Sequence, residues 1–110
     1  SPYMKIQAAI LDLERRVGVL TGFPTIQGTS LQRIQVDRVI LERDGIMVPP
    51  GKESVFVWSL GLGAAHQPKT FVTGLTIIQA ITRAQKVVRA WEKAAADRRF
   101  ADMGFNEIIK

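Results

Sequence analysis

The sequence predicts a small α+β domain: an N-terminal helix, a small and mainly antiparallel sheet with a long hairpin, and a long amphipathic C-terminal helix. Three observations carry that expectation. Ile6, Ala9, Ile10, Leu13 and Val17 recur at helical spacing near the start. Residues 31–62 contain alternating apolar runs broken by turn signals. From residue 76 a second helical period runs for about three heptads. With 110 residues, 46% hydrophobic and 23% charged, the chain fits one domain, 1–110, with enough apolar matter for a core.

The first helix opens on Ser1 as a cap and Pro2 at the first helical position, where a missing N–H costs nothing. Gly18 is expected to end it. Residues 19–21 then read as a short strand, and residues 25–27 as an edge strand inside a crossing broken by Gly22, Pro24 and Gly28. Ile34 and Val36 alternate with polar neighbours, as do Val39 and Leu41 after a one-residue slip, which predicts a β-bulge near Arg38. Asp44-Gly45 signals a type I′ hairpin turn, with residues 46–48 returning. Residues 54–62 read as a central strand, because Phe56, Trp58, Leu60 and Leu62 want cover on one face and Val55 and Val57 on the other. Residues 63–70 read as a loop.

The last helix is expected from Thr73 or Thr76 to about Met103, and residues 76–79 have capping-box spacing. Ile77, Ile81, Ala84, Val88, Trp91 and Ala95 form a narrow seam, which a stripe of Ile78, Val87 and Ala94 widens. Nearly opposite, Arg83, Lys86, Arg89 and Lys93 share about a third of the circumference. Those four are the candidate contacts for an anion or nucleic acid; the plainer reading is a solvated face that Glu92 and Asp97 partly balance. Interleaved aromatics for base stacking are missing.

Catalysis finds little to stand on. The chain has no cysteine, so a disulfide framework, a thiolate zinc site and a Cys nucleophile are excluded. His66 is the one histidine, and no carboxylate lies between Glu53 and Glu92 to orient it. Gly61 and Gly63 follow a strand, yet His66 stands where a dinucleotide-binding turn needs its third glycine. Arg33, Arg38 and Arg43 alternate with Asp37, Glu42 and Asp44, which reads as ion pairing rather than a hydrolase pair. The expectation is a non-enzymatic protein with no cofactor, no metal and no small-molecule substrate. No apolar run approaches a membrane span and the N-terminus lacks a signal-peptide pattern, so a cytoplasmic setting is expected.

A net charge of +5 favours anionic partners. Apolar residues exceed what one helix and a small sheet hide, which points to a homo-oligomer. The expected interface residues are Ile46, Phe56, Trp58, Trp91 and Phe105.

The order of these pieces is the last clue: an amphipathic helix, the broken crossing GFPTIQG, the hairpin QRIQVDRVILERDGIMV, the strand VFVWSL and the helix TIIQAITRAQKVVRAWEK. It resembles the small α+β proteins of bacteriophage necks and tail ends, namely tail-terminator and tail-completion proteins. The resemblance spans most of the chain and lies in element order and size. It implies a ring subunit of a virion, in contact with other structural proteins, without a catalytic site. Residues 43–47 and 55–60 would then be interface elements, with the basic helix face toward a lumen or an acidic ring. The seam-bearing last helix departs from that pattern and fits coiled-coil-like dimerisation equally. The alternative function is a small basic module that binds nucleic acid through phosphate contacts.

Overall fold

The computed structural model describes residues 2–22, 29–51, 53–63 and 70–102. The element order is α1 (Pro2–Thr21), β1 (Thr29–Asp37), α2 (Arg38–Arg43), β2 (Ser54–Leu62), β3 (Thr70–Gly74) and α3 (Ile77–Asp102). The predicted class is the observed one: α+β, with a long helix first and last in the chain and a three-stranded antiparallel sheet of order β1-β2-β3 between them in sequence.

Helix α1 runs one turn past Gly18, so residues 19–21 are helical rather than a strand. A mid-helix glycine costs about 1 kcal/mol, and the extra turn places Leu20 against the core. The stop is Gly22, at φ 75°, whose N–H donates to the Gly18 carbonyl at 2.9 Å. The crossing at residues 25–27 lies outside the described residues.

The predicted hairpin of residues 31–48 is not formed. Chain 31–37 is β1 as expected, but its partner is β2, in register from Thr29↔Leu62 to Asp37↔Ser54. There is no bulge at Arg38. The phase slip there marks a change of period, and residues 38–43 form α2, with Leu41 alone fully buried. Asp44-Gly45 therefore ends a helix instead of turning a hairpin. Asp44 has φ −83°, and only Gly45, at 78°, takes a positive φ. The Ile46 N–H reaches the Leu41 carbonyl at 2.9 Å and the Gly45 N–H reaches Glu42 at 3.1 Å, the paired bonds of a Schellman cap. Residues 46–48 form no strand. Arg38 pins them instead, donating to the Val48 carbonyl at 3.3 Å and to the Pro49 carbonyl.

Strand β2 spans the predicted 54–62 and is covered on both faces at different heights. Leu60 and Leu62 join Leu13 and Val17 of α1, Val72, and Ile81, Ala84 and Val88 of α3 in one core. Val57 joins Leu41 and Ile46 on the other face, with Ile34, Val36 and Val55 beside them. Burying side chains of this size contributes about 1.5–3 kcal/mol each. Residues 70–74, read as loop and helix entry, form edge strand β3. Gly74 permits the close approach of α3: a Cβ there would meet the Gln79 carbonyl carbon at 2.8 Å.

Helix α3 is capped as expected, the Gln79 N–H donating to Thr76 Oγ1 at 3.1 Å. The Gln79 side chain in turn accepts from the Leu75 N–H at 3.0 Å. Ile77, Ile81, Ala84, Val88 and Trp91 all pack against the core of their own chain. The seam is thus used within the subunit, and of the added stripe only Val87 is drawn in, Ile78 and Ala94 staying exposed.

Candidate functional site

Two surfaces stand out, one at each edge of the sheet. Among the described residues no strand pairs with the outer edge of β1, a nine-residue strand, or of β3, a five-residue one. Unpaired edges present rows of N–H and C=O groups ready to bond another chain.

On β1 the alternation puts Arg33 and Gln35 on the α1/α3 side of the sheet and Ile34 and Val36 on the α2 side. The helices leave the far end of the first side bare. Phe56 is 56% exposed there, with the Arg33 guanidinium 4.8 Å from its ring centre. Trp58, one step inward, is half-buried. At the same end Asp37, Glu42 and Glu53 border a hollow of about 490 Å³ with Arg38 and Val39. Among the described residues no three such ligands come close enough to hold a metal ion.

Along β3 runs a groove. Its floor is residues 70–75, one wall is α3 and the other is the segment after α2. It has an apolar end of about 320 Å³ at Met47, Leu75 and Ile78, and a mixed end of about 430 Å³ at Phe71, Lys86 and Val87. Arg83 borders both ends. It reaches over the strand edge from α3 and donates from Nη2 to the Asp44 carbonyl at 3.3 Å. Its Nε is buried and has no hydrogen-bond partner among the described residues.

The basic face of α3 is therefore divided. Arg83 belongs to the groove and Lys86 to its rim, while Arg89 and Lys93 are exposed. Lys93 is tied to Asp97 at 3.2 Å. Of the expected interface residues, Ile46 is only 8% exposed and is spent on its own core. Trp91 is half-buried against the main core, and Phe56 and Trp58 sit at the bare sheet end. Phe105 lies outside the described residues, as does His66. Sequence reading missed Phe71, whereas it had placed Met47 in the interface segment 43–47 and Ile78 in the stripe that widens the seam of the last helix. The run Phe71-Val72-Thr73 has strand composition and was the available signal.

The strongest charge contact is structural. Arg16 of α1 grips Glu92 of α3 through two bonds, Nε–Oε2 at 3.1 Å and Nη2–Oε1 at 2.5 Å. That bond holds the Glu92 carboxyl below its usual range and raises Arg16. Arg15 lowers Asp12 in the same way, whereas burial raises Glu14. Among the described residues no helix is long and apolar enough to cross a membrane.

No known protein family, curated protein or solved structure matches the chain.

Proposed function

We propose that the chain is a non-enzymatic structural subunit that assembles with copies of itself. The observation that carries this reading is the open edge of β1, which is self-complementary. Two copies of β1 paired antiparallel about Gln35 place Arg33 opposite Asp37 of the partner subunit at both ends, and Ile34 opposite its Val36. Faces match in that register, so the α2 side of one sheet continues into that of the other. The exposed Phe56 and the half-buried Trp58 would lie on the opposite face of the same joined sheet.

The narrower reading, a ring subunit of a bacteriophage neck or tail, rests on the resemblance in element order, less its long hairpin, which the chain does not form. A ring needs a head-to-tail contact rather than the two-fold pairing of β1. Both arrangements give a particle mass that is a multiple of 12.2 kDa.

Sedimentation of the native protein, with charge swaps, tests the proposal. Asp37 makes no side-chain cap bond to α2, so exchanging it leaves the helix start intact. Asp37→Arg should lower the mass by setting like charges opposite each other, and Arg33→Asp added to it should restore the assembly. A 12.2 kDa monomer at high concentration would sink the reading.

A second reading, a module binding nucleic acid, is favoured by one observation. Helix α3 carries Arg83, Lys86, Arg89, Lys93, Arg98 and Arg99 against Glu92, Asp97 and Asp102, so it supplies most of the chain's +5 excess.

A further inference from the structure

Between Arg83 and Lys93 the only aromatic of α3 is Trp91, and that ring packs against the core. The helix alone therefore offers phosphate contacts and nothing on which a base could stack. The fold supplies a ring from the neighbouring strand. In β3, Val72 enters the main core, so Phe71 projects from the other face of the sheet and is 64% exposed. Phe71 and Lys86 border the same hollow of about 430 Å³, coming to it from either side of the strand. Thr70 and Thr73 line it between them with uncharged hydroxyls, which donate or accept as a ligand requires.

Positive charge is concentrated on the helical wall. Residues 83–89 read RAQKVVR, three cations within about 9 Å of helix rise and no acid among them. Lys86 and Arg89 are exposed. Arg83 is committed to the fold through its bond to the Asp44 carbonyl and adds its charge alone. Among the described residues Asp44 is the one acid that lines the hollow. The surface is thus complementary to a polyanion, and its ring asks for a planar partner. A duplex keeps the faces of its bases in its own stack, and an acidic protein surface would use the cations and leave the ring idle. A single strand has both parts, since every base has a π-face and every linkage a phosphate.

We propose that β3 and α3 together bind single-stranded nucleic acid, one base stacking on Phe71 while adjoining phosphates lie along Lys86 and Arg89. This rests on the nucleic-acid reading above and narrows it from any phosphate chain to one with unpaired bases. The site involves β3, at the opposite edge of the sheet from β1, so pairing through β1 leaves it in place.

Fluorescence anisotropy on the full chain at low salt tests it with four probes: oligothymidine DNA, oligouridine RNA, a DNA duplex of the same length and an abasic DNA strand. The base-bearing single strands should bind more tightly than the duplex, and the tighter of the two identifies a DNA or an RNA partner. Phe71→Ala should weaken them about 5- to 150-fold, the range for one lost stack, and Phe71→Trp should keep the affinity. The abasic strand should bind Phe71→Ala and the parent chain equally, which also shows that the variant is folded. Single strands that ignore Phe71→Ala, or a duplex that binds more tightly than they do, overturn the proposal. Polyglutamate that displaces the strands as well as unlabelled oligothymidine does would overturn it in favour of an acidic protein. Reversing Lys86 and Arg89 to Glu separates the two failures. If the reversal abolishes binding that Phe71→Ala leaves intact, stacking falls and phosphate contact stands; if no probe binds the parent chain, both readings fall.

Discussion

Arg16 and Glu92 show how one residue pair joins distant parts of this chain. Two hydrogen bonds of a guanidinium to a carboxylate, 76 positions apart in sequence, tie α1 to α3 just beyond the buried Leu13, Val17 and Val88. Because Arg16 lowers the folded pKa of Glu92, the folded state binds fewer protons than the unfolded one in that range. The stabilisation is complete above the unfolded value of 4.5 and is lost as pH falls through the lowered folded pKa. Asp12 follows the same sign from 3.8. Glu14 opposes them, since burial raises its pKa and its ionisation costs stability as pH rises. Glu92→Gln should therefore cost about 0.2–1 kcal/mol at pH 7, the range for a solvent-screened pair. Urea unfolding followed by Trp fluorescence should show that difference shrinking towards pH 3. A gap that stays constant across that range would mean the pair contributes through packing rather than charge.

Helix α2 is the element whose existence depends most on a single backbone angle. Its six residues are too few to be stable alone, and the Schellman bonds at Gly45 and Ile46 close it while setting Ile46 beside Leu41. Gly45→Ala places a Cβ at φ 78°, and open space around it means that the cost is conformational alone. A loss of about 1–2 kcal/mol is expected, read as a lower Tm, with Gly45→Asn losing less. An unchanged Tm for the alanine variant would show that α2 adds little to the fold. The same element shows why the sequence was only partly legible. Strand β2 could be read residue for residue, because Phe56, Trp58, Leu60 and Leu62 against Val55 and Val57 leave no other period. In α2 the residues Val39, Ile40 and Leu41 suit a strand as well as a helix, and one buried leucine is too little to define a period. Tertiary bonds from Arg38 to residues 48 and 49 decided it. At β3 the strand residues sit directly before the Thr76 cap, so the helix signal masked them. The open edges and the groove were legible only in part: the cations of α3 could be placed on one face, but not the strand that Arg83 crosses.

At the scale of the whole molecule the chain is extended. Its radius of gyration is 16.7 Å, where a compact chain of this length has about 13 Å. The half of α3 beyond Trp91 is largely exposed, but Lys93, Arg98 and Arg99 are balanced there by Glu92, Asp97 and Asp102. The helix's excess positive charge, which an anionic partner would meet, therefore sits at Arg83, Lys86 and Arg89. If duplex DNA is that partner, Lys86, Arg89 and Lys93 are the phosphate contacts, because Arg83 is engaged across the edge of β3. Three released counterions would weaken binding about 40-fold between 50 and 200 mM salt. Reversing Arg89 and Lys93 together should then abolish binding measured by fluorescence anisotropy, without changing the native mass. Binding that ignores both salt and the double reversal would show the face to be solvated. A mass that falls with the reversal would show instead that these cations meet an acidic surface of another subunit.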